Sequence, residues 1–89
     1  MIDLTRRTVT IGGQEVRPSY RQFELIATLA RYPGVPYTRD QLMTALKLSE
    51  RVADVAISDY VKRVRALYAR HGAANPIRTY HGCGYYWQG

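Results

Sequence analysis

The chain has 89 residues, a formal net charge of +6 at pH 7 and one cysteine. We expect residues 1–89 to form one domain with a modest core, which is too small for a deep catalytic cleft. The single cysteine excludes an intrachain disulfide, and no segment resembles a signal peptide or a membrane span, so we expect a cytoplasmic protein without a membrane partner.

The positive charge is concentrated in the last third of the chain. Residues 1–59 contain eight basic and seven acidic side chains, whereas residues 60–89 contain five basic side chains and no acidic one. This asymmetry favours a polyanionic partner, and nucleic acid before a membrane, because no stretch has the broad apolar face of an interfacial helix. The alternative is a solvated surface whose charge only keeps the protein soluble.

Residues 1–17 are predicted to form an N-terminal antiparallel β-sheet. Residues 1–4 are typical of a short strand, and residues 8–11 alternate polar and apolar side chains before Gly12-Gly13. Two adjacent glycines favour a tight hairpin turn, since they adopt positive φ without strain.

Two helices are predicted next, at the start of a three-helix core over residues 19–71. Residues 19–22 and 38–41 both have the Ser/Thr-x-x-Gln pattern of a capping box, in which two side chains satisfy free backbone amides at a helix start. The first helix should end at Tyr32-Pro33-Gly34, because proline cannot continue a helix. Residues 35–37 should be extended before the shorter second helix.

The longest helix is predicted over residues 54–71. Asp54 is a candidate N-cap, an earlier start near Glu50 is also possible, and Gly72 is suited to end the helix. Ile57, Val61, Val64 and Tyr68 have the spacing of a buried stripe. The opposite face carries Asp59, Lys62, Arg63, Ala66 and Arg70, and Arg65 lies on the flank between the two faces.

A second hairpin is predicted at the C terminus, with strands at residues 77–80 and 85–87 around a glycine-containing turn. Arg78 and His81 place cationic or polar groups near this turn, which favours contact with an anionic partner. An ordinary aromatic-rich hairpin that covers the core is the alternative.

The sequence offers no catalytic or metal-binding constellation. His81 and Cys83 are close together, but structural zinc needs four ligands, and only His71 could be added to them. The serines lack an accompanying histidine and aspartate, so we predict no enzyme activity, no cofactor, no metal and no small-molecule substrate. Five tyrosines are predicted to fill the core and its rim rather than to stack on bases: Tyr20, Tyr32, Tyr60, Tyr68 and Tyr80.

The order of these elements, together with two motifs, resembles the OmpR/PhoB-type winged-helix effector domain of bacterial response regulators. The Val61-Lys62-Arg63-Val64-Arg65 run is similar to the family's Ile-Arg/Lys-Arg-Leu-Arg, and Gly82-Cys83-Gly84-Tyr85 matches its Gly-x-Gly-Tyr. The resemblance covers nearly the whole chain. It implies an α+β winged helix-turn-helix with an N-terminal antiparallel sheet, three helices and a C-terminal β-hairpin, the wing, at residues 77–88.

The resemblance also implies a sequence-specific, double-stranded DNA-binding regulator of transcription from a two-component system, here without the receiver domain. In the family the third helix, at about residues 54–71 in this chain, enters the major groove, and the wing contacts the backbone or the minor groove. The connection before that helix can contact RNA polymerase, and tandem pairs bind direct repeats. A protein-interaction winged helix that docks an acidic partner, such as a polymerase subunit, is the alternative.

The motif positions suggest roles for individual residues. Arg63 aligns with the family's base-reading arginine, Lys62 and Arg65 with positions that contact phosphates or neighbouring bases, and Thr79 with a threonine that binds the DNA backbone. His81 stands where many members have the wing arginine. Asp59 lies on the same face as Ala66 and Arg70. Its carboxylate is expected to interact favourably with the positive N-terminal end of the helix dipole, or else to accept a hydrogen bond from a cytosine amine. Arg78 is added for its charge.

Overall fold

The computed structural model describes residues 1–49 and 53–89 of the chain, without the side chains of residues 53 and 54. The elements are β1 (Ile2–Asp3), β2 (Thr8–Ile11), β3 (Gln14–Val16), α1 (Tyr20–Ala30), β4 (Tyr37–Thr38), α2 (Arg39–Ala45), α3 (Ala53–Arg70), β5 (Ile77–Tyr80) and β6 (Gly84–Trp87). This order of sheet, three helices and closing hairpin confirms the predicted α+β winged-helix architecture.

The N-terminal sheet has the strand order β1-β2-β3, and all its pairings are antiparallel. Strands β2 and β3 form the predicted hairpin, with positive φ at both Gly12 and Gly13. Strand β1 is shorter than expected, with two residues. A Cβ on Gly12 would lie 2.3 Å from the carbonyl oxygen of His71, so the absence of a side chain lets this turn approach the end of α3.

Both capping residues occupy the predicted positions. The Ser19 hydroxyl accepts a hydrogen bond from the Gln22 amide at the start of α1, at 3.4 Å. At the start of α2 the capping box is complete, because Thr38 and Gln41 exchange side-chain bonds with each other's backbone amides at 3.1 and 2.9 Å. These caps satisfy amides that have no partner within the helix.

Helix α3 runs from Ala53 to Arg70 over 18 residues. The predicted capping by Asp54 and the alternative start near Glu50 concern groups outside the described residues. Gly72 ends the helix as predicted, with a φ of 71° and a hydrogen bond from its amide to the carbonyl of Ala69 at 3.0 Å.

The core is built on the inner face of α3 together with α1, α2 and the strands. Ile57, Val61 and Val64 are buried as predicted, whereas Tyr68 is half-buried at the edge. Leu67 is buried although it was not placed in the stripe. It follows Val64 by three residues, so the buried face is wider than the single line of the predicted stripe.

The C-terminal sheet has a third strand that the sequence did not indicate. Tyr37 and Thr38 form β4, which pairs with β6, so the strand order is β4-β6-β5. Gly84 makes this pairing possible, because a Cβ at that position would lie 2.0 Å from the carbonyl oxygen of Tyr37. The wing is therefore joined to the segment that opens α2.

The prediction for the tyrosines was wrong for three of five residues. Tyr20, Tyr32 and Tyr80 are exposed, whereas Tyr60 and Tyr68 are half-buried and pack against the core. The buried aromatic positions belong instead to Phe23, Tyr85 and Trp87. In the described ranges, no helix has both the length and the apolar composition needed to cross a bilayer.

Candidate nucleic-acid interface

The outer face of α3 presents a row of accessible side chains. Lys62, Arg63, Ala66 and Arg70 are exposed, while Ile57, Val61 and Val64 on the same helix are at most 1% exposed. The burial of one face therefore fixes the rotation of the helix and turns the cationic residues to solvent. This is the arrangement predicted from the spacing, and it leaves a side of α3 available to an anionic partner.

Asp59 contacts Arg63 on this face. Arg63 Nε donates to Asp59 Oδ2 at 2.7 Å, and the two side chains are 62% and 44% exposed. Asp59 is the seventh residue of α3, beyond the first turn in which a carboxylate interacts with the helix dipole. The expectation that Asp59 favours the helix terminus was therefore wrong. The i, i+4 spacing of opposite charges was the sequence signal for this pair.

Arg65 points from α3 to the wing. Its Nη2 donates to the carbonyl oxygen of Ile77 at 3.0 Å and to Thr79 Oγ1 at 3.2 Å, and its Nε reaches the same carbonyl at 3.3 Å. The guanidinium carbon lies 5.9 Å from the centre of the Tyr85 ring. Arg65 thus connects helix and wing in the structure, a contact between residues distant in sequence that periodicity could not indicate.

The wing exposes the remaining predicted residues. Arg78 and Thr79 lie on β5, where Arg78 donates to the side chain of Gln88 and Thr79 accepts from Arg65. His81 lies at the turn with a φ of 47°, and its ring meets that of Tyr80 edge-on at 4.5 Å. The structure therefore brings Arg65, Thr79 and α3 together directly, and holds His81 at the tip.

Two ion pairs lie in the N-terminal part of the chain. Arg6 contacts Glu15 at 2.9 Å, and Arg7 contacts Glu24 at 2.8 Å. Residues 1–59 carry eight basic and seven acidic side chains, whereas every charged side chain of residues 60–89 is basic. The excess of positive charge therefore lies in the part of the chain that contains most of α3 and the wing. Within the described residues, no cluster of three or more His, Cys, Asp or Glu side chains is placed to bind a metal.

Comparison of the sequence with known families gives a match over most of the chain. The family described as "Transcriptional regulatory protein, C terminal" matches residues 13–87. The nisin biosynthesis regulatory protein NisR of Lactococcus lactis subsp. lactis is 28% identical over 97% of this chain and 38% of its own length. The sensory transduction protein RegX3 of Mycolicibacterium smegmatis is 31% identical over 99% of this chain and 40% of its own length. The chain spans about two fifths of these relatives.

Comparison of the fold with solved structures finds similar DNA-binding domains. The DNA-binding domain of Klebsiella pneumoniae RstA, solved in complex with the RstA box, superposes with a TM-score of 0.81 at 26% identity, covering 97% of this chain and 87% of that one. The DNA-binding domain of the response regulator AdeR, solved in complex with an intercistronic region, has a TM-score of 0.86 at 20% identity, with 98% and 90% covered. The latter similarity supports the winged-helix fold.

Proposed function

Because this chain belongs to the family of C-terminal domains of transcriptional regulatory proteins, of the OmpR/PhoB type, we propose that it binds double-stranded DNA at specific sequences and thereby regulates transcription. The observation that carries the proposal is the exposed cationic face of α3, opposite the buried Ile57, Val61 and Val64. The DNA complex of RstA, which shares 26% of its sequence with this chain, supports the choice of duplex DNA as partner.

In this proposal α3 enters the major groove. Arg63 reads guanine, since a guanidinium can donate two parallel bonds to O6 and N7 of that base. Lys62 contacts phosphate as a point charge, and Ala66 leaves room for base edges or a thymine methyl group beside them. Arg70, at the C-terminal end of the helix, adds attraction to the backbone.

The wing contacts the backbone or the minor groove. Thr79 Oγ1 accepts from Arg65, which leaves the hydroxyl hydrogen of Thr79 to donate to a phosphate oxygen. Arg78 adds charge, and His81 supplies a ring N–H donor at the tip. Arg65 positions the wing through its hydrogen bonds to β5. In this proposal Arg65 therefore supports Thr79, rather than contacting a phosphate directly.

Three further parts of the proposal follow from the family. Two copies bind tandem direct repeats, since one helix of this length covers few base pairs. The connection between α2 and α3 contacts RNA polymerase, and the site of action is the cytoplasm, where bacterial DNA lies. Residues 50–52 of that connection are outside the described residues.

The test is selection of bound sequences from random duplexes at physiological salt, followed by comparison of Arg63→Ala with the wild type. Loss of the arginine should cost about 1 to 3 kcal/mol of discrimination at one or two base pairs and leave the other positions unchanged. Arg31→Ala is the matched control, since it removes an exposed arginine at the end of α1, and it should retain the full preference.

Two outcomes would contradict the proposal. If Arg63→Ala keeps both the affinity and the preference of the wild type, Arg63 is not the reading residue. If no duplex is enriched, the chain does not bind DNA specifically, and an acidic protein partner for the same face becomes the better explanation.

A further inference from the structure

The ion pair between Asp59 and Arg63 leaves a specific part of the guanidinium available. The bond from Arg63 to Asp59 uses Nε, at 2.7 Å from Oδ2. A guanidinium has five N–H groups in a planar fork, so four of them, on Nη1 and Nη2, remain for another acceptor. The end of the fork, formed by these two Nη groups, matches the spacing of O6 and N7 on guanine.

The pair has little to contribute to folding. Both side chains are substantially exposed, at 62% and 44%, and an exposed i, i+4 pair adds little stability because water and salt screen it. The pair matters more for the conformation of the Arg63 side chain. A long side chain loses rotamer freedom on binding, and a partner that already holds it in one conformation reduces that loss.

Asp59 also imposes a cost that a purely cationic surface would avoid. It places a carboxylate on the face of α3 that carries Lys62, Arg63 and Arg70, and this charge repels the phosphates of every duplex, whatever its sequence. This repulsion is the same for all sequences and cancels when two sequences are compared, so only the improved base contact raises specificity.

We propose that Asp59 is a positioning residue that holds Arg63, through Nε, in the conformation in which its two Nη groups bind guanine in the major groove. The inference rests on the proposed function, since it assigns the specificity of the same surface. Asp59 acts through Arg63 and does not itself contact a base. Its role is to increase discrimination at the guanine, while its charge lowers the affinity for every duplex.

The test combines protein variants with a change of one atom in the DNA. The probe is the duplex that the wild type enriches from a random library, prepared with 7-deazaguanine in place of each guanine in turn, which removes the N7 acceptor. At the guanine bound by Arg63, this change should weaken the wild type about tenfold, and it should have no effect on Arg63→Ala. In Asp59→Ala the weakening should fall to about threefold, because the arginine is no longer held.

Affinity for an unselected duplex of the same length gives a second readout. Asp59→Ala should bind it about two- to threefold more tightly than the wild type, because a carboxylate has been removed from the interface. Asp59→Asn keeps an acceptor oxygen without the charge, so it should bind unselected DNA more tightly and retain more of the 7-deazaguanine effect than Asp59→Ala.

Glu15→Gln is the matched control. It removes the carboxylate charge from an arginine pair of similar exposure, Arg6–Glu15, and changes the net charge equally, but it lies on β3 in the N-terminal sheet. It should keep the full tenfold effect. If Asp59→Ala also keeps the full effect, or loses preference for a cytosine and not for the guanine, the positioning role is wrong. A wild type that enriches no duplex would contradict both this role and the proposed function.

Discussion

Tyr68 is a titratable side chain at the edge of the core. Its ring meets that of Trp87 edge-on, with 5.9 Å between the centroids. Burial raises the pKa of Tyr68 above its ordinary value of 10.0, because removal of water penalises the phenolate. The folded state therefore keeps this proton at a pH where the unfolded chain has lost it. The associated stability is complete below about pH 10 and is lost as the pH rises through the folded pKa.

We expect Tyr68→Phe to remove this dependence. Between pH 10 and 11 the free energy of unfolding of the wild type should fall more steeply than that of the variant, by at most about 1.4 kcal/mol per pH unit. Urea unfolding followed by circular dichroism at several pH values measures the difference. Tyr32→Phe, at an exposed tyrosine, should behave as the wild type, and parallel curves for the wild type and Tyr68→Phe would contradict the prediction.

At the residue scale, the sequence predicted which side chains of α3 face solvent but not what they contact. The exposure of Lys62 and Arg63 follows from local periodicity, since the buried residues of the same helix fix its rotation. The bonds from Arg65 to β5 depend on how a hairpin far along the chain packs on α3, which no local pattern encodes. The Asp59–Arg63 pair had a local signal, opposite charges one turn apart, that was interpreted as a helix-terminus effect.

At the scale of elements, the antiparallel pairing of β4 with β6 depends on a glycine. Gly84 pairs with Thr38, and the backbone of β4 occupies the space that a Cβ would need. Because the obstructing atoms are backbone, they cannot move away as the end of a flexible side chain could. The pairing ties the wing to the start of α2, so its loss would affect both elements.

Gly84→Ala should therefore destabilise the fold by about 2 kcal/mol or more, through a clash that the backbone must move to relieve. Gly13→Ala provides the comparison. Gly13 has a φ of 81°, but a Cβ added there would meet no atom of another part of the chain within 4 Å. That variant should lose only about 1 kcal/mol from backbone strain. Urea denaturation of the two variants checks the order, and an equal loss in both would show that the close approach has no effect.

The elements that the sequence predicted well are those with local signals. The capping residues Ser19 and Thr38 place helix starts correctly, because a cap bonds to an amide three residues away. Strand β4 has only two residues, and it exists because β6 lies beside it. Its partner is more than forty residues distant in sequence, so an extended segment was the most that residues 35–37 could indicate.

At the scale of the whole molecule, the charge distribution determines how binding responds to salt. The basic residues of the N-terminal part include two that are paired with glutamates, whereas residues 60–89 carry cations alone. Each phosphate contact releases condensed counterions, so affinity for DNA should fall as salt rises. The slope of log affinity against log salt is proportional to the number of phosphate contacts.

Lys62→Ala and Arg78→Ala should each reduce the slope of log affinity against log salt by about 0.9, with sequence preference unchanged. Arg6→Ala removes a cation that is paired with Glu15, and it should leave the slope unaltered. Binding isotherms on the selected duplex between about 50 and 200 mM salt measure these slopes. If Arg6→Ala reduces the slope and Lys62→Ala does not, the DNA interface lies at the N-terminal sheet and not on α3.

The bonds from Arg65 to Ile77 and Thr79 have a consequence for the kind of double helix that can be bound. They connect α3 to the wing, and in the proposed complex the separation of these two elements has to match the distance between neighbouring grooves. An A-form RNA duplex has a major groove too deep and narrow for side chains to read, and its groove spacing is different. We therefore expect a protein with this connection to prefer a DNA duplex to an RNA duplex because of groove shape, without contact to any 2′-hydroxyl group.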